Sequence, residues 1–232
     1  MNYIQDIIEP ERLLLAWQPP REIDKTRTRR AIGELFKRDG NIVFRYLVGT
    51  DDYKKAIEFG FDHYIPFTDS KKEYVDSVVD VFSQRLPPRS RKDFGIYLES
   101  LCIRSDSEIS NFSLLGYSGA VLPSDSFSIV NTFEGVDEGC QFLLEIAGFG
   151  YYADQLSGIG IGTKIEILNE ADNPYDSSAI KLAVNGQKVG NINRLMLPAF
   201  HRWLVNKHID IVVERIEGNI ERPRVFVFVA VY

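Results

Sequence analysis

The sequence predicts an α+β protein: a small α+β domain over residues 1–135, then a β-barrel with one helix over residues 139–232. Three observations carry this. Two tight-turn dipeptides, Asp39-Gly40 and Asn185-Gly186, each separate two β-like runs. Such pairs supply the positive φ angles that a two-residue hairpin turn needs. Helical spacing is concentrated between about residues 70 and 115. Beyond residue 139, five or six short β-like runs surround a single helical stretch, and closure into a barrel removes the exposed edges that short strands would otherwise present.

The elements follow in order. LLLAW reads as a strand stopped by Pro19-Pro20, and a basic loop with Arg27, Arg29 and Arg30 comes next. GELFKR, Asp39-Gly40 and NIVFRYLV form a hairpin in which Ile42, Phe44, Tyr46 and Val48 make one apolar face. Asp51-Asp52 reads as a solvated turn. Ser70-Lys-Lys-Glu73 has the spacing of a capping box and predicts a helix burying Tyr74, Val75, Val78 and Phe82, ended by Pro87-Pro88. Ser90 predicts the cap of a second helix, with Phe94, Tyr97, Leu98 and Leu101 on one face. A third helix is expected around 108–115, stopping at Gly116, followed by short strands at AVLP and FSIV. The polar stretch NTFEGVDEG, residues 131–139, marks the domain boundary. Strands are then expected at Phe142–Ala147, Lys164–Leu168, Ala179–Val184, Gln187–Ile192, Ile209–Ile216 and Arg224–Val231, with a helix at Leu197–Asn206 whose first turn holds Pro198.

Composition narrows the function. The chain has 232 residues and a net charge of −6, and 44% of it is hydrophobic, enough to bury a core. Residues 1–138 hold 18 basic and 23 acidic groups and residues 139–232 hold 9 and 10. Neither half is a basic domain, which argues against sequence-blind binding along duplex DNA. No apolar run is long enough to span a bilayer, so no membrane partner is expected. Acids precede the short apolar run of the first residues, unlike a secretory signal. Cys102 and Cys140 stand far apart, without metal spacing, which fits a reducing cytoplasm.

Catalytic patterns are missing. His63, His201 and His208 form no metal or triad pattern, and His201, beside Trp203, reads as a partly buried structural histidine. Gly158-Ile-Gly-Ile-Gly162-Thr-Lys164 has glycines but not the order of a phosphate loop, and a strand rather than a helix follows it. The sequence therefore predicts a non-enzymatic protein needing no cofactor or metal. Two basic clusters, Arg27/Arg29/Arg30 with Lys37/Arg38 and Arg85/Arg89/Arg91/Lys92, read either as solvated loops or as a surface for phosphate or an acidic partner.

The most decorated loop is EADNPYDSSAIKL, residues 170–182. Proline pushes Asn173 to extended geometry, and Asp176 is placed to accept from the amides of Ser178 or Ala179. One reading is a stiff corner with Tyr175 as a plug. The other is a stacking platform, Tyr175, flanked by Asn173 and Asp176, as single-stranded bases are held on small barrels.

FLLEIAG, NEADNPYDSSAIKL and QKVGNINR together resemble the HIRAN domain, over residues 139–232. The resemblance implies an oligonucleotide-binding-like (OB-like) barrel. In eukaryotic replication-fork remodellers the similar domain captures single-stranded DNA at its 3′ end. It implies that Tyr175 stacks on the terminal nucleotide, Asp176 accepts from the 3′-hydroxyl, Asn173 hydrogen-bonds and Arg194 meets phosphate. Two positions depart from the family: Glu145-Ile146 stands where an aromatic precedes the small-Gly pair, and Asn191 stands in place of a histidine. Tyr151 and Tyr152 are the candidates to supply the missing ring. Over residues 30–123, IGEL, DGNIVFRY, RLPPRSRKDF and LLGYSGAVLP resemble the N-terminal subdomain of HipA-type kinases, whose kinase core has no counterpart after residue 130. That implies a docking or regulatory module for a protein partner. The expected function is recognition of single-stranded DNA or DNA ends. The alternative is a regulatory subunit of a toxin–antitoxin or phage-defence complex.

Overall fold

The computed structural model describes residues 1–152, 158–170, 173, 176–219 and 222–232. The chain divides into two compact units. One comprises Ile8–Phe94 and Glu108–Glu134; the other comprises Met1–Ile7, Gly95–Ser107 and Gly135–Tyr232. No helix among the described residues is long and apolar enough to cross a membrane.

The first unit is built on an antiparallel four-stranded sheet in the order β3-β2-β1-β4, from β1 (Arg12–Trp17), β2 (Arg30–Arg38), β3 (Asn41–Tyr46) and β4 (Phe127–Asn131). Asp39 and Gly40 take φ of 50° and 78°, the pair of positive angles expected of the β2–β3 hairpin. Leu13, Leu15, Ile32, Leu35 and Phe44 are buried on this sheet. Phe44 packs against Phe67, Tyr46 and Phe82 with ring centroids 4.8, 5.0 and 5.5 Å apart, so aromatic area dominates this core.

Several local expectations are corrected here. Asp51-Asp52 is not a loose turn but the first turn of α1 (Asp51–Glu58), capped by the Thr50 side chain, where acids complement the helix dipole. The Ser70–Glu73 box opens no helix. Tyr74 instead exchanges two backbone bonds with Phe44, at 2.9 and 2.8 Å, and Glu73 pairs with Arg38 and Arg45. Sheet pairing and two arginines thus outweigh one capping motif. The helix, α2, runs only over Val78–Ser83, and Val75 is exposed. α3 covers Phe94–Ser100. The next helix, α4 (Asn111–Ser118), passes through Gly116 and ends at the left-handed Gly119. Gly116 is a contact glycine rather than a stop, because a Cβ there would lie 2.8 Å from Leu13 Cδ2. AVLP is a turn rather than a strand, with Ala120 at a φ of 45°.

The other unit is β-rich. Its strands are β5 (Cys140–Glu145), β6 (Glu166–Asn169), β7 (Ile180–Val184), β8 (Gln187–Asn191), β9 (Ile209–Asn219) and β10 (Arg222–Val231). They form two antiparallel three-stranded sheets, β5-β10-β9 and β6-β7-β8. Backbone bonds join the sheets at two places. Ala147 and Asn191 bond reciprocally at 3.0 and 2.9 Å, and Gly162, Thr163 and Ile165 bond to Val213 and Ile211 at 2.7–2.9 Å. α5 (Leu197–Asn206) buries Leu197, Phe200 and Trp203, and Phe200 and Trp203 meet Phe142 with ring centroids 6.2 and 6.0 Å away. The segments remote in sequence are tied in by hydrogen bonds of 2.7 Å: Ile4 N–H to Cys102 O, Asn2 Nδ2 to Glu214 Oε2 and Gln5 N–H to Gln141 Oε1.

Candidate nucleic-acid interface

The site is assembled around the β7–β8 hairpin. Asn185 and Gly186 take φ of 50° and 76°, so the turn fixes the register. Ala183 faces Lys188, but Leu182 faces Gly190, and the ladder shifts between them. The extra residue, Val189, is buried beside buried Gly190, while Lys188 and Asn191 are both half-exposed. In a regular strand residues three apart point to opposite faces; a bulge changes that parity and brings both to one side. Gly190 allows β8 to meet the end of β5, since a Cβ there would lie 2.4 Å from Ile146 Cγ2 and 2.6 Å from Ala147 O.

Asn173 meets β8 at one carboxylate. Glu170 Oε2 accepts from Asn173 Nδ2 at 2.7 Å and from Asn191 Nδ2 at 2.9 Å, and Lys188 Nζ donates to the two Glu170 oxygens at 2.5 and 2.8 Å. Burial works to raise the Glu170 carboxyl, but hydrogen bonds from Lys188, Asn173 and Asn191 outweigh it and hold the group below the usual range. Asn173 Oδ1 accepts from the Asp176 amide at 3.2 Å. Asp176 Oδ1 accepts from the Ser178 amide and hydroxyl at 2.9 and 2.5 Å, the local turn expected from the sequence. The Ser178 hydroxyl is the main cause that keeps Asp176 ionised to lower pH; the Arg194 charge and the nearby His201 ring add to it. Among the described residues, the second Asp176 oxygen accepts no hydrogen bond.

Of the residues predicted for the site, Asn173, Asp176 and Asn191 share this network, and Arg194 acts on it through charge from the 3₁₀ turn Arg194–Met196. Tyr175 lies outside the described residues. Tyr151 and Tyr152 sit at the 3₁₀ turn that follows β5. Tyr151 is 65% exposed, whereas the Lys188 ammonium covers the Tyr152 ring at 5.5 Å from its centroid. Glu145 makes a bidentate pair with Arg224, both contacts at 2.8 Å, so its charge is balanced on the sheet.

Sequence reasoning missed Glu170 and Lys188 as partners, although Glu170 stands three residues before Asn173. It also misread His201, which is exposed rather than partly buried. α5 turns Leu197, Phe200 and Trp203 inward and His201 out, and its Nε2 donates to Ser178 O at 2.7 Å. The basic clusters of the first unit are largely used internally. Arg85 is buried against Asp125, Arg89 donates to Asn111 and Ile109, and Arg91 pairs with Asp93.

This arrangement defines a β-rich domain with a polar corner beside a bulged hairpin. Residues 140–232 match the family model of the HIRAN domain. Among solved structures, the HIRAN domain of human HLTF is 21% identical, over 39% of this chain and 74% of that one, with a TM-score of 0.33. A protein from Lactobacillus plantarum is 13% identical, over 41% of this chain and 100% of that one, with a TM-score of 0.28. No curated protein matches the chain. These findings lend no support to the HipA-type resemblance of the first half.

Proposed function

We propose that residues 139–232 form an OB-like barrel that binds single-stranded DNA, or its 3′ ends, without catalysing a reaction. The observation that carries this is the meeting of Asn173 and β8 on Glu170, beside an Asp176 carboxylate one of whose oxygens accepts no hydrogen bond among the described residues. The match to the HIRAN family supports DNA as the ligand. The two backbone junctions between the sheets support the barrel. Asp176 is assigned to a terminal hydroxyl, Asn173 and Asn191 to polar edges of the nucleotide, Arg194 to phosphate, and Tyr175 with Tyr151 to stacking.

The test is a titration with labelled single strands carrying a free or a phosphate-blocked 3′ end, alongside duplexes. Free-ended strands should bind best. Asp176→Ala should abolish the preference for a free end, and Tyr175→Ala should weaken binding by about tenfold, the loss expected for one stacked base. Absence of single-strand binding at low salt would sink the proposal.

A second role is assigned to the first unit, as a docking module for a protein partner. It rests on an open cavity of about 510 Å³ lined by Leu86, Pro87, Pro88, Arg89, Phe94 and Asn111, among others. A partner that co-purifies with the wild type and is lost with Phe94→Ala would support it; retention of that partner would refute this surface.

A further inference from the structure

Among the described residues, four hydrogen bonds end on the Glu170 carboxylate, and their donors come from two separate segments: the corner, through Asn173, and β8, through Lys188 and Asn191. The Asn173 amide is fixed at both ends. Its nitrogen is held by Glu170 and its oxygen receives the Asp176 N–H. Glu170 thereby sets which way Asn173 faces, and Asn173 in turn holds the backbone that carries Asp176. The Glu170 backbone belongs to the same assembly, donating to Ala179 O at 3.0 Å and accepting from Asn173 N–H at 2.9 Å. The carboxylate is 15% exposed and Lys188 21% exposed, so water competes weakly for these bonds.

We propose that Glu170 is the positioning residue of the site. It makes the corner and β8 one preorganised surface and so sets discrimination between 3′ ends, resting on the DNA-binding reading given above. A carboxylate is required by donor count. Three side chains present protons to it, and a glutamine would offer one oxygen and turn its own N–H groups toward a donor. Leaving a partly buried donor without its charged acceptor costs enough to lower binding about tenfold.

The test compares wild type, Glu170→Gln, Glu170→Asp and Lys188→Met. In the whole protein, the side-chain amide signals of Asn173 and Asn191 are followed by ¹⁵N–¹H spectroscopy, and affinities for free-ended and blocked strands are measured beside them. Glu170→Gln should shift both amide pairs and reduce the free-to-blocked affinity ratio about tenfold. Lys188→Met removes the ion pair but keeps the acceptor for Asn173 and Asn191, and should lower the ratio less than Glu170→Gln does. Glu170→Asp keeps the charge but draws it back by one methylene, so it should lower the ratio, and it carries the test if Glu170→Gln does not fold. A wild-type ratio in Glu170→Gln, or an equal loss in Lys188→Met, overturns the positioning role. If the wild type binds no single strand, the DNA-binding reading fails by itself. The amide spectra then decide whether Glu170 joins the two segments, and an unmoved Asn191 signal in Glu170→Gln refutes it.

Discussion

Arg85 donates to Asp125 through two nitrogens, at 2.7 and 2.9 Å, and to the carbonyls of Ala120 and Phe127 at 2.8 and 3.1 Å. Its side chain is 3% exposed. Removing such a group strands its partners, so Arg85→Met should lower stability by about 3 kcal/mol in chemical denaturation. Burial tends to raise the Asp125 carboxyl, but bonds from Arg85 and the Phe127 amide outweigh it and depress the value. The pair's stabilisation is therefore complete above the ordinary aspartate value and is lost as pH falls through the lower folded one. The wild type should lose more stability between pH 5 and 3 than Arg85→Met does; equal slopes would show that the pair does not titrate with folding. The same chemistry explains why this arginine is no surface cation. A run of arginines in sequence says nothing of carbonyls and a carboxylate some forty residues away, which a folded turn brings to it.

At the level of elements, the hairpins were legible because their cause is local. Asp39-Gly40 and Asn185-Gly186 have the required positive φ angles in the structure, as those residue types imply. The Ser70–Glu73 box was misleading because its competitor is not local: the edge strand at Phe44 takes the Tyr74 backbone. β8 shows the same limit within the site. Its hydrophobic pattern gives a strand, but the bulge at Val189 depends on the partner strand, and with it the placing of Lys188 and Asn191 together. Gly190 is the element's tightest point. Gly190→Ala should cost about 1–3 kcal/mol through overpacking against Ile146 and Ala147, seen as a lower melting temperature. It should also weaken the proposed single-strand binding by displacing Asn191. An unchanged melting temperature would mean that Gly190 is not a tight contact between β8 and the end of β5.

At the scale of the molecule, the division into units is not a division of the chain at one point. Residues 1–7 and 95–107 belong with 135–232. They contribute buried Ile4, Leu98, Leu101, Cys102 and Ile103, and Arg215 donates to the Ser100 carbonyl. A fragment of residues 135–232 should therefore melt well below the corresponding transition of the whole protein and expose apolar surface to a dye. An equally stable fragment would show that these segments add nothing. Cys102 and Cys140 are both buried, and burial pushes each thiol up to about 12, so neither is primed for nucleophilic chemistry.

The sequence by itself determined the α+β class, both hairpins, the β-rich second half with its single helix, and the corner at Asn173 and Asp176. These rest on residue spacing and on turn chemistry that acts over a few residues. Tertiary structure alone decided that Asn173, Asn191 and Lys188 share Glu170, that His201 faces Ser178, that Arg85 is internal, and that two early segments complete the later unit. Each of these depends on groups distant in the chain, brought together by strand register, a bulge and packing, and no local pattern records such a meeting.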